Sequence, residues 1–104
     1  MKHTETRIYA RSRELINVCA EVIRDFPPGY GFLADQLRRA VASVLLNFCE
    51  GFGRTGPADR RRFFHTSRGS AWEVAGALDV ALGFGVTDVS RHERGIELCD
   101  HIAA

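Results

Sequence analysis

Three breaks rich in glycine and proline constrain this chain more than any other feature. They are Pro27-Pro28-Gly29, the stretch from Gly51 through Gly53 and Gly56 to Pro57, and Gly83-Phe84-Gly85. Proline lacks an amide donor and its ring clashes with the preceding turn, and glycine accepts the left-handed backbone that ends helices. Between the breaks, apolar residues recur at three- and four-residue intervals, the period of a helix with one buried face. The first segment, about Glu5 to Asp25, has Ile8, Leu15, Cys19, Val22 and Phe26 in phase, flanked by Ile16 and Ile23. The second, about Leu33 to Glu50, has Leu33, Leu37, Ala40, Val41, Val44, Leu45 and Phe48. A left-handed glycine in Gly51-Phe52-Gly53 is expected to close it.

Pro57 suits the first turn of a third helix, where its missing amide costs nothing, and Asp59 suits the positive end of the helix dipole. That helix is expected to run to about Leu82, with Phe63 or Phe64, Ser67, Ala71, Val74, Leu78 and Ala81 or Leu82 turned inward. Gly69 and Gly76 lie in its middle, each costing about 1 kcal/mol of helix propensity against alanine. Close packing there is the expected compensation. A fourth helix is expected from about Ser90 to Ile102, with Ser90 and Glu93 as a capping box and Ile96 and Cys99 as its surest inward positions. No stretch has the alternating pattern of a strand. Four helices joined by short loops predict an all-α, antiparallel up-down-up-down four-helix bundle.

A length of 104 residues fits one domain, residues 1–104. A chain this small buries only about two-thirds of the surface its unfolded form exposes, so self-association would add useful apolar burial. The first residues hold no continuous apolar run, and no stretch approaches the roughly 20 apolar residues of a membrane span. A cytoplasmic protein without membrane contact is expected. Cys19, Cys49 and Cys99 are widely spaced in apolar surroundings, which predicts three buried thiols in a reducing compartment and no zinc site.

Charge is segregated although the net is +1. Residues 38–69 carry seven arginines against Glu50 and Asp59, a balance of +5, whereas residues 70–104 carry two arginines against six acids, a balance of −4. A basic segment of this kind can face RNA or DNA, or the acidic segment of a neighbouring subunit. Arg38-Arg39 and Arg60-Arg61-Arg62 are the candidate nucleic-acid contacts, and with no base-reading motif present they would act on phosphates.

The polar residues between the second and third helices are the other candidates. Asn47 and Glu50 share a helix face and are expected to hydrogen-bond across the bundle and set its register. Arg68, Glu73 and Glu50 are candidates for an ionic cluster. Two carboxylates such as Glu50 and Glu73 can divide acid and base roles, but no pocket-forming motif accompanies them. His3, His65, His92 and His101 show no metal-ligand spacing, and no nucleophile elbow is present. Trp72 is expected in the core or at an interface. The chain is thus expected to be non-enzymatic, with no catalytic residues, metal or cofactor.

Two ordered motifs carry a resemblance. Leu37-Arg38-Arg39-Ala40-Val41-x-Ser43-Val44 followed by Asn47-x-x-Glu50-Gly51-x-Gly53-Arg54, and then Phe63-Phe64-x-x-Ser67-Arg68-Gly69-Ser70-Ala71-x-Glu73, resemble the bacterial proteins related to those encoded in intervening sequences of 23S ribosomal RNA genes. The resemblance implies an up-down helical bundle, assembly into a homopentamer, and no enzymatic activity. It also implies a structural role for the matched Asn47, Glu50, Gly51, Arg54, Arg68, Gly69, Ser70 and Glu73. A related branch comprises the accessory variability proteins of diversity-generating retroelements. Through that branch, the resemblance implies a basic surface that meets nucleic acid and a nucleic-acid-processing partner such as a reverse transcriptase.

Overall fold

The computed structural model describes residues 2–104 as four helices: α1 (His3–Arg24), α2 (Gly31–Gly53), α3 (Pro57–Gly83) and α4 (Val89–Ala103). Successive helices run antiparallel. Along the α2–α3 seam, Gln36 meets Glu73, Ser43 meets Ser70, and Ser67 meets Val44, so one number falls as the other rises. The same holds between α1 and α4, where Asp25 meets Arg91 and Arg11 meets His101. Each helix touches its two sequence or ring neighbours, α4 returning to α1, so α1 lies diagonal to α3 and α2 to α4. The bundle measures 44 × 23 × 17 Å.

The inward stripes expected from periodicity form the core. Leu15 and Val22 from α1, Leu37 and Val44 from α2, and Val74 and Leu78 from α3 are fully buried. The fourth helix turns Cys99 inward and packs Ile96 partly against the core, as expected, and its buried face extends beyond them. Leu98 is fully buried and Gly95, Cys99, Ile102 and Ala103 line up with it, whereas Val89 stands 59% exposed.

Helix ends also depart from expectation. The second helix runs on through Gly51 and Gly53, neither of which is left-handed, because Phe52 packs edge-on against Phe48 and Phe64 and holds the last turn in place. The left-handed glycines are Gly29, at φ 99°, and Gly85, at φ 71°. Gly85 closes α3: its amide donates to Leu82 and that of Val86 to Ala81, the paired bonds of a Schellman end. At the start of α4 the cap is Asp88, not Ser90. Its Oδ1 accepts from the Arg91 amide at 2.7 Å, and the helix begins at Val89. The Asp88 backbone is extended, as a capping residue requires.

Close packing at Gly69 and Gly76 is not what the structure shows. Both face outward, and a Cβ at either would meet nothing within 4 Å. The tight approaches lie at Gly51, against the Phe64 ring, and at Gly95, against the Leu78 side chain. Among the described residues, no helix is long and apolar enough to cross a membrane.

Candidate functional site

The α2–α3 hairpin gathers four arginines at one end of the bundle. Arg54 follows the last turn of α2, while Arg60, Arg61 and Arg62 occupy the first turns of α3. Arg60 Nε donates to the Arg54 carbonyl at 2.6 Å and ties the two helix ends together. Phe48, Phe52 and Phe64 form a mutually packed triad beneath, with ring centroids 5.3 to 5.9 Å apart. Phe63 lies beside two guanidinium groups, those of Arg54 at 4.8 Å and Arg62 at 4.5 Å, in cation–π geometry. Each of these arginines also has an acidic partner, Glu50 for Arg54 at 2.8 Å and Asp59 for Arg62 at 3.3 Å. Both pairs are solvent-exposed, so they hold the side chains loosely.

Arg61 points elsewhere. It lines a shallow depression of about 230 Å³ with Phe64, His65 and Arg68, and no acidic side chain borders it. Arg61 and Arg68 are two turns apart on the same face. Arg54, Arg60, Arg61, Arg62 and Arg68 therefore form one basic end, tempered by Glu50, by Asp59 and, beside Arg68 and Phe64, by Glu5 of α1. Arg54 and Arg68 join the expected contacts here. The signal for them was positional, since a hairpin brings the end of one helix beside the start of the next.

Arg38 and Arg39 do not belong to this end. Sixteen residues of helix separate Arg38 from Arg54, roughly 24 Å at 1.5 Å per residue. Arg38 pairs with Asp35 at 3.3 Å and borders an apolar groove between α1 and α2. The two groups of candidate arginines therefore lie in different regions of the bundle. That groove has a volume of about 450 Å³ and is walled by Ile16, Cys19, Ala20, Ile23, Val41 and Ala42, with Arg24 and Arg38 at its rim.

The polar residues of the α2–α3 seam are also arranged differently from expectation. Ser43 Oγ and Ser70 Oγ, 2.7 Å apart, bridge the helices. Asn47 stays within its own helix, donating through Nδ2 to Ser43 Oγ at 2.9 Å and to the Ser43 carbonyl at 3.0 Å. Asn47 thus orients the bridging serine without crossing the seam itself. One turn away, buried Ser67 donates to the Val44 carbonyl at 2.6 Å. Glu50 turns outward to Arg54, and Glu73 accepts from Gln36 Nε2 at 3.3 Å. Glu50, Arg68 and Glu73 form no ionic cluster. Gln36 lies fourteen residues before Glu50 on α2, which sets the two carboxylates roughly 20 Å apart along the bundle, too far to flank one reacting bond.

The seam between α1 and α4 is ionic. Arg91 pairs with Asp25, with Asp88 at 3.4 Å and with Glu21 at 3.6 Å; Arg94 pairs with Glu14 and with Glu97 at 3.0 Å. The hydrogen bonds to Asp25 and Glu14 hold both guanidinium groups further toward the charged form. Asp79 on α3 meets His92 on α4 at 2.7 Å. Two of the three thiols are buried as expected, but Cys49 is exposed on the outer side of α2. Burial, then the neighbouring Cys99, pushes the Cys19 thiol up to about 12. Burial, then Asp100 and Asp79, does the same for Cys99. Among the described residues, no three His, Cys, Asp or Glu side chains come together as a metal cage.

The chain matches a known family over nearly its whole length. Residues 4–104 match the family described as 23S rRNA-intervening sequence protein. The chain belongs to that family. No curated protein matches it. In this member of the 23S rRNA-intervening sequence proteins, the motif residues divide by place. Asn47, Gly51 and Ser70 sit in the α2–α3 seam, whereas Glu50, Arg54, Arg68, Gly69 and Glu73 reach the surface or lie near it.

Proposed function

We propose that the protein is a non-enzymatic, homo-oligomeric scaffold or accessory protein of the cytoplasm. The observation that carries this reading is the outer face of α3. Trp72 is 58% exposed, Val80 42% and Phe84 61%, and Phe32 of α2, beside them, is 61% exposed. Trp72, Gly76 and Val80 follow one another at four-residue intervals and so share one side of the helix. An apolar stripe on the solvent side of a small bundle is the mark of a surface meant to be covered. Five copies is the number the family resemblance implies. Light scattering at micromolar concentration tests the reading. The expected mass is several times 11.6 kDa, and a mass of 11.6 kDa would refute it.

A second reading is favoured by the basic end of the hairpin: a surface that meets the phosphates of RNA or DNA and so serves a nucleic-acid-processing partner. Arg61 and Arg68 line a depression whose own walls hold no acid, the arrangement a phosphate would use, with Glu5 on the far side of Arg68. Binding to structured RNA and duplex DNA across a salt series tests it. Replacing both Arg61 and Arg68 with alanine should weaken binding and lower the salt slope by about two, near one for each arginine that meets a phosphate. Undiminished binding in that variant would refute this surface.

A further inference from the structure

Two surfaces of this bundle complement each other but lie on different sides of it. One is the outer stripe of α3, with Trp72, Gly76 and Val80 and with Glu73 alongside. The other is the groove between α1 and α2, apolar inside and bordered by Arg24 and Arg38. We propose that the α3 stripe of one copy docks into the α1–α2 groove of the next, with Trp72 inserted and Glu73 facing Arg24 and Arg38. The proposal rests on the homo-oligomeric reading and adds to it which surfaces meet.

Shape supports the pairing. Trp72 stands 58% exposed between Gly69 and Gly76, and beyond both glycines the space is open for at least 4 Å. A neighbouring helix can therefore come close to the α3 backbone on either side of the indole. The groove holds about 450 Å³, within the roughly 300–1,000 Å³ range of sites that take up a bulky group.

Charge fixes the direction. Glu14 and Glu21 of α1, and Asp25 just after it, all turn toward Arg91 and Arg94 of α4. That leaves the opposite side of α1 to Arg24. Arg38, paired with Asp35 at 3.3 Å, faces it across the groove from α2, so the groove is lined by two arginines and no acid, with Arg24 the rim cation that has no ion-pair partner among the described residues. Glu73 on the stripe accepts only from the neutral Gln36 amide. Two stripes set face to face would bring Glu73 against Glu73, and two grooves would bring arginine against arginine, both unfavourable. Stripe to groove avoids both clashes. Such a contact joins two different patches, so each copy retains one free stripe and one free groove, and repetition closes a ring when the rotation allows.

The test uses one substitution on each surface, both at exposed helix positions. Gly76→Arg blocks the stripe, and Ala20→Glu blocks the groove and repels Glu73. Each variant alone is expected to fall to 11.6 kDa by light scattering, with the helical circular dichroism of the parent. Mixed together, they are expected to form a species of twice that mass and nothing larger, because the mixture has one intact stripe and one intact groove. Glu73→Arg serves as the stripe variant if Gly76→Arg loses helicity. Trp72 is the only tryptophan, so its emission should shift to the blue when the pair forms. If the parent assembles but both variants keep its mass, or the folded mixture stays at 11.6 kDa, the stripe-to-groove contact is wrong while the oligomer stands. If the parent itself is monomeric, both readings fall.

Discussion

Gly95 and Gly69 are the same residue in the same kind of helix, yet they meet opposite surroundings. A methyl at Gly95 would collide with Leu78 of α3, whereas one at Gly69 would meet open space. Gly95→Ala should destabilise the fold by about 1–3 kcal/mol, the usual cost of overpacking. Gly69→Ala should stabilise it by about 0.5–1 kcal/mol through helix propensity. Urea unfolding at one chain concentration checks both. Sequence showed Gly69 but not which side of α3 it occupies, because that helix exposes Trp72 and Val80 as well as burying an apolar stripe. The cysteines were legible in part: Cys19 and Cys99 follow the inward stripes, but Cys49 does not. In a Cys49→Ser chain no thiol should react with a disulfide reagent until the protein is unfolded. With both remaining thiols pushed up to about 12, the native form keeps protons that the unfolded chain releases from about pH 9. Their contribution to stability is therefore complete below about pH 9 and is lost as pH rises toward about 12. Ultraviolet titration of thiolate should show no ionisation of the native Cys49→Ser chain below about pH 10.

At the scale of the element, the four helices were legible because each break coincides with a real end and each long segment holds its phase over several turns. The ends themselves were less so. Capping depends on where the backbone turns, and Asp88 reaches the extended conformation two residues before Ser90. Asp88→Ala should cost about 1 kcal/mol, and Ser90→Ala should change stability by a few tenths at most. Thermal unfolding of the two variants separates the two capping schemes. The fourth helix kept Cys99 inward as expected, but the centre of its buried face was missed for a related reason. Its stripe is anchored by Leu98, which packs inward beside a glycine, and a glycine contributes nothing to a hydrophobic pattern. The α2–α3 seam is held in part by small polar groups, and Ser67→Ala should cost about 1 kcal/mol by removing the buried bond to the Val44 carbonyl.

At the scale of the molecule, the segregation of charge along the chain marked real differences in place, but not the places themselves. The acids of α1 and the arginines of α4 close one seam together, which leaves the opposite side of α1 basic. Arg38 and Arg60 share a basic segment of sequence, yet α2 carries them to different regions of the bundle. The exposed α3 stripe was the hardest feature to foresee. In sequence, an apolar residue facing a neighbouring copy is indistinguishable from one facing the core of its own chain. The central claim is that this stripe is covered by another copy, and multi-angle light scattering of the unmodified protein measures it most directly. A mass several times 11.6 kDa at micromolar concentration is the predicted result, and a mass that stays at 11.6 kDa would contradict it.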